Sequence, residues 1–60
     1  MREFRIEYDQ YGHEYLYLTV QGDLYLVHKI RKAMQEADCK IRHVYEVLDD
    51  YEWSEIHFLA

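Results

Sequence analysis

The chain is poor in the residues that make linkers and cross-links. Proline is absent and glycine occurs twice in 60 residues, so a flexible or proline-rich linker is not expected. The single cysteine, Cys39, has no partner for an internal disulfide, which is typical of a protein from a reducing compartment. We therefore expect one small domain, residues 1–60, that is stabilised by its own core, by a partner, or by both.

Long apolar runs are also missing. No segment approaches the roughly 20 apolar residues that a membrane-spanning helix needs. The first nine residues, MREFRIEYD, contain no continuous apolar stretch of the kind found in signal peptides. These absences predict a soluble, cytoplasmic protein with no membrane partner.

Positive charge is scarce. Seven lysines and arginines stand against twelve aspartates and glutamates, which gives a formal net charge of −5. A protein that binds phosphate backbones obtains its affinity from lysine and arginine, so general nucleic-acid binding is disfavoured. The same charge keeps a small protein soluble and favours encounter with a basic partner.

The sequence is instead rich in tyrosine and in periodic apolar patterns. Seven of its ten aromatic residues are tyrosine, a residue suited to half-covered surfaces and interfaces. Apolar side chains alternate with polar ones in residues 2–8, and with tyrosine and threonine in residues 15–20. This period of two predicts two strands joined in an antiparallel hairpin, with Gly12 in a loop of about four residues.

A helix is predicted over residues 24–37. Asp23 is a good N-cap, and apolar residues recur after it at helical spacing. Residues 39–47 alternate again and predict a third strand, followed by a turn at residues 49–51. The last segment, residues 52–59, fits a fourth strand or a short helix capped by Asp49 or Asp50, and we favour the strand.

These elements predict an α+β fold: a small antiparallel sheet in ββαββ order, with one amphipathic helix packed on one face. The sheet face toward the helix is predicted to carry Phe4, Ile6, Leu16, Leu18, Val20, Ile41, Tyr45 and Val47. The open face is predicted to carry Arg5, Glu7, Tyr15, Tyr17, Thr19, Arg42, Val44 and Glu46.

The histidines and the cysteine do not form a pattern typical of a metal site or of catalysis. Cys39 and His43 are four residues apart, which is about 13 Å on a strand, although they would be neighbours on a helix. The chain has neither CxxC nor HxxxH, and sixty residues leave little room for a water-shielded cleft. We expect a non-enzymatic protein without a metal or other cofactor.

Carboxylates and aromatic residues concentrate near the end of the chain. Such a segment can engage a basic site on a larger protein, with Tyr51 and Trp53 as anchors. The alternative is that Trp53 folds back over the core edge, which buried area favours by roughly 2–3 kcal/mol. This composition is similar to that of small phage-encoded inhibitors of nucleic-acid-processing proteins, a likeness that identifies no family. The predicted partner-binding residues are Asp49, Asp50, Tyr51, Glu52, Trp53 and Glu55.

Two further modes of interaction stay open. An open sheet face with Tyr15, Tyr17 and Arg42 can stack single-stranded nucleic acid, which is the alternative function. An exposed sheet edge or the tyrosine-bearing face can also pair with a second copy to form a homodimer. The sequence therefore predicts a protein-interaction module. Its more specific form is a small acidic inhibitor or regulator, whose partner is a larger protein with a basic surface or a second copy of itself.

Overall fold

A computed structural model describes residues 2–58 and shows a four-stranded antiparallel sheet with one helix against it. The strand order in the sheet is β2-β1-β3-β4, so β2 and β4 form its two edges. The predicted α+β class and ββαββ order are confirmed. The elements are β1 (Arg2–Gln10), β2 (His13–Gly22), α1 (Leu24–Glu36), β3 (Lys40–Val47) and β4 (Trp53–Glu55).

The first hairpin closes through a two-residue turn rather than the expected four residues. Tyr11 and Gly12 have φ of 52° and 81°, so both central residues are left-handed, as in the tightest hairpin turns. Gly12 adopts this conformation without steric cost, whereas Tyr11 does so under strain. The turn lets β1 and β2 pair over nearly their whole lengths.

The helix begins where the sequence predicts it to begin. The Asp23 carboxylate accepts a hydrogen bond of 2.9 Å from the backbone N–H of Leu26, which confirms Asp23 as the N-cap. The helix ends at Glu36, because Asp38 turns left-handed with φ of 62° and the N–H of Cys39 bonds back to the carbonyl of Met34 at 3.0 Å.

The core is small and lies between the helix and the sheet. Within residues 2–58 the buried side chains form one cluster, and their burial brings the helix onto the face formed by β1 and its neighbours. The buried residues are Phe4, Ile6, Val20, Val27 and Val44, and the partly buried residues packed against them are Ile30, Met34, Ile41, Ile56 and Phe58.

The predicted faces of β3 are wrong beyond Arg42. Val44, expected on the open face, is only 3% exposed and belongs to the core. The reason is a bulge: Glu7 pairs with His43 but Tyr8 pairs with Ile41, so one extra residue of β3 shifts the alternation. By the same shift, Tyr45 and Val47 lie on the open face, and Glu46 lies on the helix side.

The end of the chain crosses from the sheet toward the helix. The favoured strand is confirmed, although β4 has only three residues. The N–H of Ile56 then donates to the carbonyl of Val44 at 2.7 Å, and the Phe58 ring lies 4.2 Å from the Arg31 guanidinium on the helix. The predictions for residues 59 and 60 lie outside the described residues. No helix within residues 2–58 is long and apolar enough to cross a membrane.

Candidate functional site: the open sheet face and the acidic turn

The sheet face opposite the helix carries a row of aromatic rings and arginines. Two half-exposed tyrosines of β2, Tyr15 and Tyr17, lie toward one side of this face. Tyr45 of β3 and Trp53 of β4 lie toward the other side, with their rings 5.5 Å apart. This surface is called the open face below.

Arg5 fills the middle of the open face. Its guanidinium lies 4.4 Å from the Tyr17 ring and 4.5 Å from the Trp53 ring, so both rings hold one cation between them. The Nε atom of Arg5 is buried and makes no hydrogen bond within the described part of the chain. Partial burial also raises the pKa of the neighbouring Tyr45 hydroxyl.

A second cluster at the end of the open face joins Arg42, Asp9 and Tyr15. The Nε of Arg42 donates to both carboxylate oxygens of Asp9, at 2.7 and 2.8 Å. The Arg42 guanidinium also lies 4.3 Å from the Tyr15 ring and donates to its hydroxyl at 3.3 Å. The hydrogen bond from Arg42 is the largest cause that lowers the pKa of Asp9.

Two bulges assemble this cluster. Arg42 is the extra residue of β3, and Tyr15 with φ of 56° lies in a second bulge, where β2 has two residues opposite Asp9. The N–H of Tyr15 donates to the Asp9 carboxylate at 3.0 Å. The side chain of Asp9 therefore bonds to the bulges of both β2 and β3. Sequence alternation cannot locate these bulges, because an extra residue leaves no compositional mark.

The acidic turn, residues 48–52, connects β3 to β4. The Asp49 carboxylate accepts hydrogen bonds from the N–H groups of Tyr51 and Glu52, at 2.7 and 2.8 Å, which gives the turn a defined shape. The N–H of Leu48 closes the turn by donating to the carbonyl of Glu52 at 2.9 Å. Tyr51 is 96% exposed and Leu48 is 57% exposed.

Within the described part of the chain, the carboxylates of the acidic turn form no ion pair. Within residues 2–58 ion pairs join Arg2 to Glu46 and Arg42 to Asp9, and the His43 ring is hydrogen-bonded to Glu55. None of these pairs includes a carboxylate of the turn. The turn therefore projects negative charge and two apolar side chains into solvent together.

The six predicted partner-binding residues fall into two places. Asp49, Asp50, Tyr51 and Glu52 lie together in the acidic turn, whereas Trp53 and Glu55 lie on the open face. Trp53 is 42% exposed and stacks on Arg5, so the expectation that it covers the core edge is wrong. The other predicted set, Tyr15, Tyr17 and Arg42, does lie on one face.

Sequence reasoning missed Asp9 and Tyr45 as members of the open face. The alternation that predicts the first strand ends at Tyr8, so it leaves Asp9 outside the strand. Simple alternation along residues 39–47 predicts Tyr45 on the face toward the helix. The described residues contain no group of three histidine, cysteine, aspartate or glutamate side chains placed to hold a metal ion.

The fold and these surfaces define a small α+β domain with one helix-covered and one open sheet face. Comparison with known proteins finds no family model, no curated protein and no solved structure that matches the chain.

The Asp9–Arg42 pair makes an expected contribution to acid stability. Because the folded-state pKa of Asp9 lies below its ordinary 3.8, the carboxylate stabilises the fold above that pH and loses this effect as the pH falls through the lowered value. The pKa values of Glu46 and Glu55 are also lowered, chiefly by their hydrogen bonds with Arg2 and His43. We expect Asp9→Asn to make the acid side of the stability curve shallower, as measured by urea midpoints from neutral to acid pH.

Arg42→Met is the companion variant, since it removes the cause of the shift and keeps the carboxylate. It is expected to flatten the same acid side of the curve. An unchanged pH dependence in both variants would show that the pair does not stabilise the fold.

Proposed function

We propose that the protein is a non-enzymatic interaction module that docks its acidic turn on a basic site of a larger protein, in the manner of a small inhibitor or regulator. The observation that carries the proposal is Tyr51, 96% exposed at the tip of a turn shaped by Asp49. A tyrosine so placed contributes nothing visible to the described fold. Aromatic residues are the most frequent anchors of protein interfaces.

Shape and charge support the same mode of binding. The turn is held by four hydrogen bonds through Asp49 and Leu48, so little conformational freedom is lost when it docks. Asp50 and Glu52 flank Tyr51 and provide the negative charge that steers encounter with a basic surface. Leu48 adds an exposed apolar contact beside them.

The alternative function, stacking of single-stranded nucleic acid, fits the open face less well. Base stacking needs free ring faces, but Arg5 lies against Tyr17 and Trp53, and Arg42 lies against Tyr15. The guanidinium of Arg42 is also neutralised by Asp9. Glu7 and Glu55 add negative charge to the same face, where phosphates would have to bind.

The test is a capture experiment with the tagged chain in lysate of its source cells, followed by affinity measurement on any retained protein. Tyr51→Ala is expected to weaken binding about tenfold, as the loss of an interface anchor does. The double variant Asp50→Asn, Glu52→Gln is expected to weaken binding by a similar factor at low salt and by less at high salt.

Matched controls separate this site from a general effect of charge or of exposed rings. Tyr25→Ala removes a tyrosine of the helix that is 71% exposed, and Asp38→Asn with Glu36→Gln makes the same charge change elsewhere. The controls are expected to bind like the wild type. The proposal would be refuted if the controls and the turn variants lost affinity equally, or if neither turn variant lost affinity. Salt-sensitive binding of an oligothymidylate would favour the alternative.

A further inference from the structure

The β2 edge of the sheet is long and unprotected. β2 has ten residues, His13–Gly22, and lies at the outside of the sheet. It contains no proline and one acidic residue, Glu14, although proteins usually protect such an edge with charge, proline or a covering segment. Alternate residues of this strand direct their N–H and C=O groups away from β1.

The helix covers this side of the sheet only in part, because Val20 of β2 is buried but Leu18 is not. Leu18 pairs with Ile6 on the helix side, but Ile6 is fully buried and Leu18 is 40% exposed. Leu26, which lies against Gly22 at the end of the strand, is 38% exposed. On the opposite face of the same strand Tyr17 is 60% exposed. The edge is thus bordered by apolar surface on both faces.

We propose that a second copy of the chain occupies this edge, with the two β2 strands antiparallel about a two-fold axis at Leu18. Both helices then lie on the same side of a continuous eight-stranded sheet. Leu18 meets Leu18 of the second copy at the axis, while Leu16 faces Val20 and Tyr17 faces Thr19 of the second copy. On the helix side, the exposed part of each Leu18 is covered by leucines of the other chain.

The register follows from irregularity and charge within β2. Tyr15 has φ of 56°, so the regular part of the strand begins at Leu16. A two-fold axis at Leu18 pairs residues 16–20 of one copy with residues 16–20 of the other. On the helix side, apolar side chains then lie opposite apolar side chains. Glu14 then faces Gly22 of the second copy, so no like charges oppose each other.

A dimer contact of standard size would cover a modest share of the surface of this chain. A standard interface covers about 800 Å² of each partner, which is about one sixth of the 4626 Å² exposed by this chain. Exposed apolar side chains beside the open backbone edge supply contact area, namely Tyr15, Tyr17, Leu18 and Leu26.

Dimerisation leaves the acidic turn free. The turn follows β3, which lies two strands from β2, and the two-fold axis places the two turns at opposite ends of the dimer. The three carboxylates of the turn, Asp49, Asp50 and Glu52, therefore lie away from the contact. A dimer would also present two acidic turns. It would therefore bind a partner that carries two copies of the basic site more tightly than one copy of the chain does.

The first experiment measures mass in solution by analytical ultracentrifugation, from about 1 μM to about 1 mM chain, a range that detects even weak association. The wild type is expected to reach twice its 7.5 kDa mass at the upper concentrations. Leu18→Lys brings two like charges together at the axis and is expected to weaken the dimer by at least about a hundredfold. Leu48→Lys, on an exposed leucine of the acidic turn, is the control and is expected to dimerise.

A second variant tests the same contact if Leu18→Lys does not fold. Leu18→Cys in a Cys39→Ser background is expected to form a disulfide-linked dimer on mild oxidation, because directly paired residues have Cα atoms about 4.5–5.5 Å apart. Ser54→Cys in the same background tests the β4 edge and is expected to cross-link poorly. A wild type that stays monomeric throughout, a dimer insensitive to Leu18→Lys, or preferred cross-linking at Ser54 would overturn the proposal.

Discussion

Replacing Val44 with lysine is expected to unfold the protein. Val44 is 3% exposed and packs with Phe4 and Ile6 in a core of five buried side chains. A lysine ammonium placed there loses its hydration without gaining a partner, which costs several kcal/mol. A domain of this size rarely has more than about 3–5 kcal/mol of stability, so one such change exceeds it.

Val47→Lys is the matched control for Val44→Lys. It makes the same substitution on the same strand, but Val47 lies on the open face opposite Glu3 and Trp53. It is expected to remain folded, because the ammonium can reach water and the Glu3 carboxylate. Circular dichroism and thermal melts measure both. If the two variants unfold alike, or if Val47→Lys is the more damaging, the face assignment of β3 is wrong.

Replacing Trp53 with alanine is expected to destabilise the fold by about 2 kcal/mol without unfolding it. The ring contacts the Arg5 guanidinium at 4.5 Å and the Tyr45 ring at 5.5 Å, but it is 42% exposed and outside the core. A cation–π contact and an aromatic pair near the surface each contribute about 0.5–1.5 kcal/mol. Some apolar area is lost in addition. Urea denaturation measures the shift.

Tyr51→Ala provides the control for Trp53→Ala. It removes an aromatic side chain two residues away that is 96% exposed, and it is expected to change stability by less than about 0.5 kcal/mol. A double-mutant cycle of Trp53→Ala with Arg5→Ala should give a coupling energy of about 0.5–1 kcal/mol. Complete unfolding of Trp53→Ala would place the ring in the core, and no change would show that the stack contributes nothing.

Trp53 and Tyr51 differ in their availability to a partner. Trp53 is held on the open face by its own neighbours, whereas Tyr51 is held by nothing but the backbone of the turn. A partner can therefore engage Tyr51 without breaking contacts within the domain. Engagement of Trp53 would have to compensate for the loss of its contacts with Arg5 and Tyr45.

Local sequence determined the elements of this fold. Alternation in β1 and β2, helical spacing after Asp23 and the carboxylate of Asp23 all act between residues close in the chain. They predicted the ββαββ order, the helix start and the strand character of residues 53–55, all of which the structure shows. The acidic turn was visible for the same reason, since its residues are contiguous.

Tertiary structure alone decided which way β3 faces and where Trp53 lies. One extra residue at Arg42 exchanges the two faces of the strand, and its position is set by pairing with β1, more than thirty residues earlier. The meeting of Arg42 with Asp9, the stack of Trp53 on Arg5 and the uncovered β2 edge depend on the same pairing. Contacts between distant segments are not encoded in any local period, so no inspection of the sequence alone could supply them.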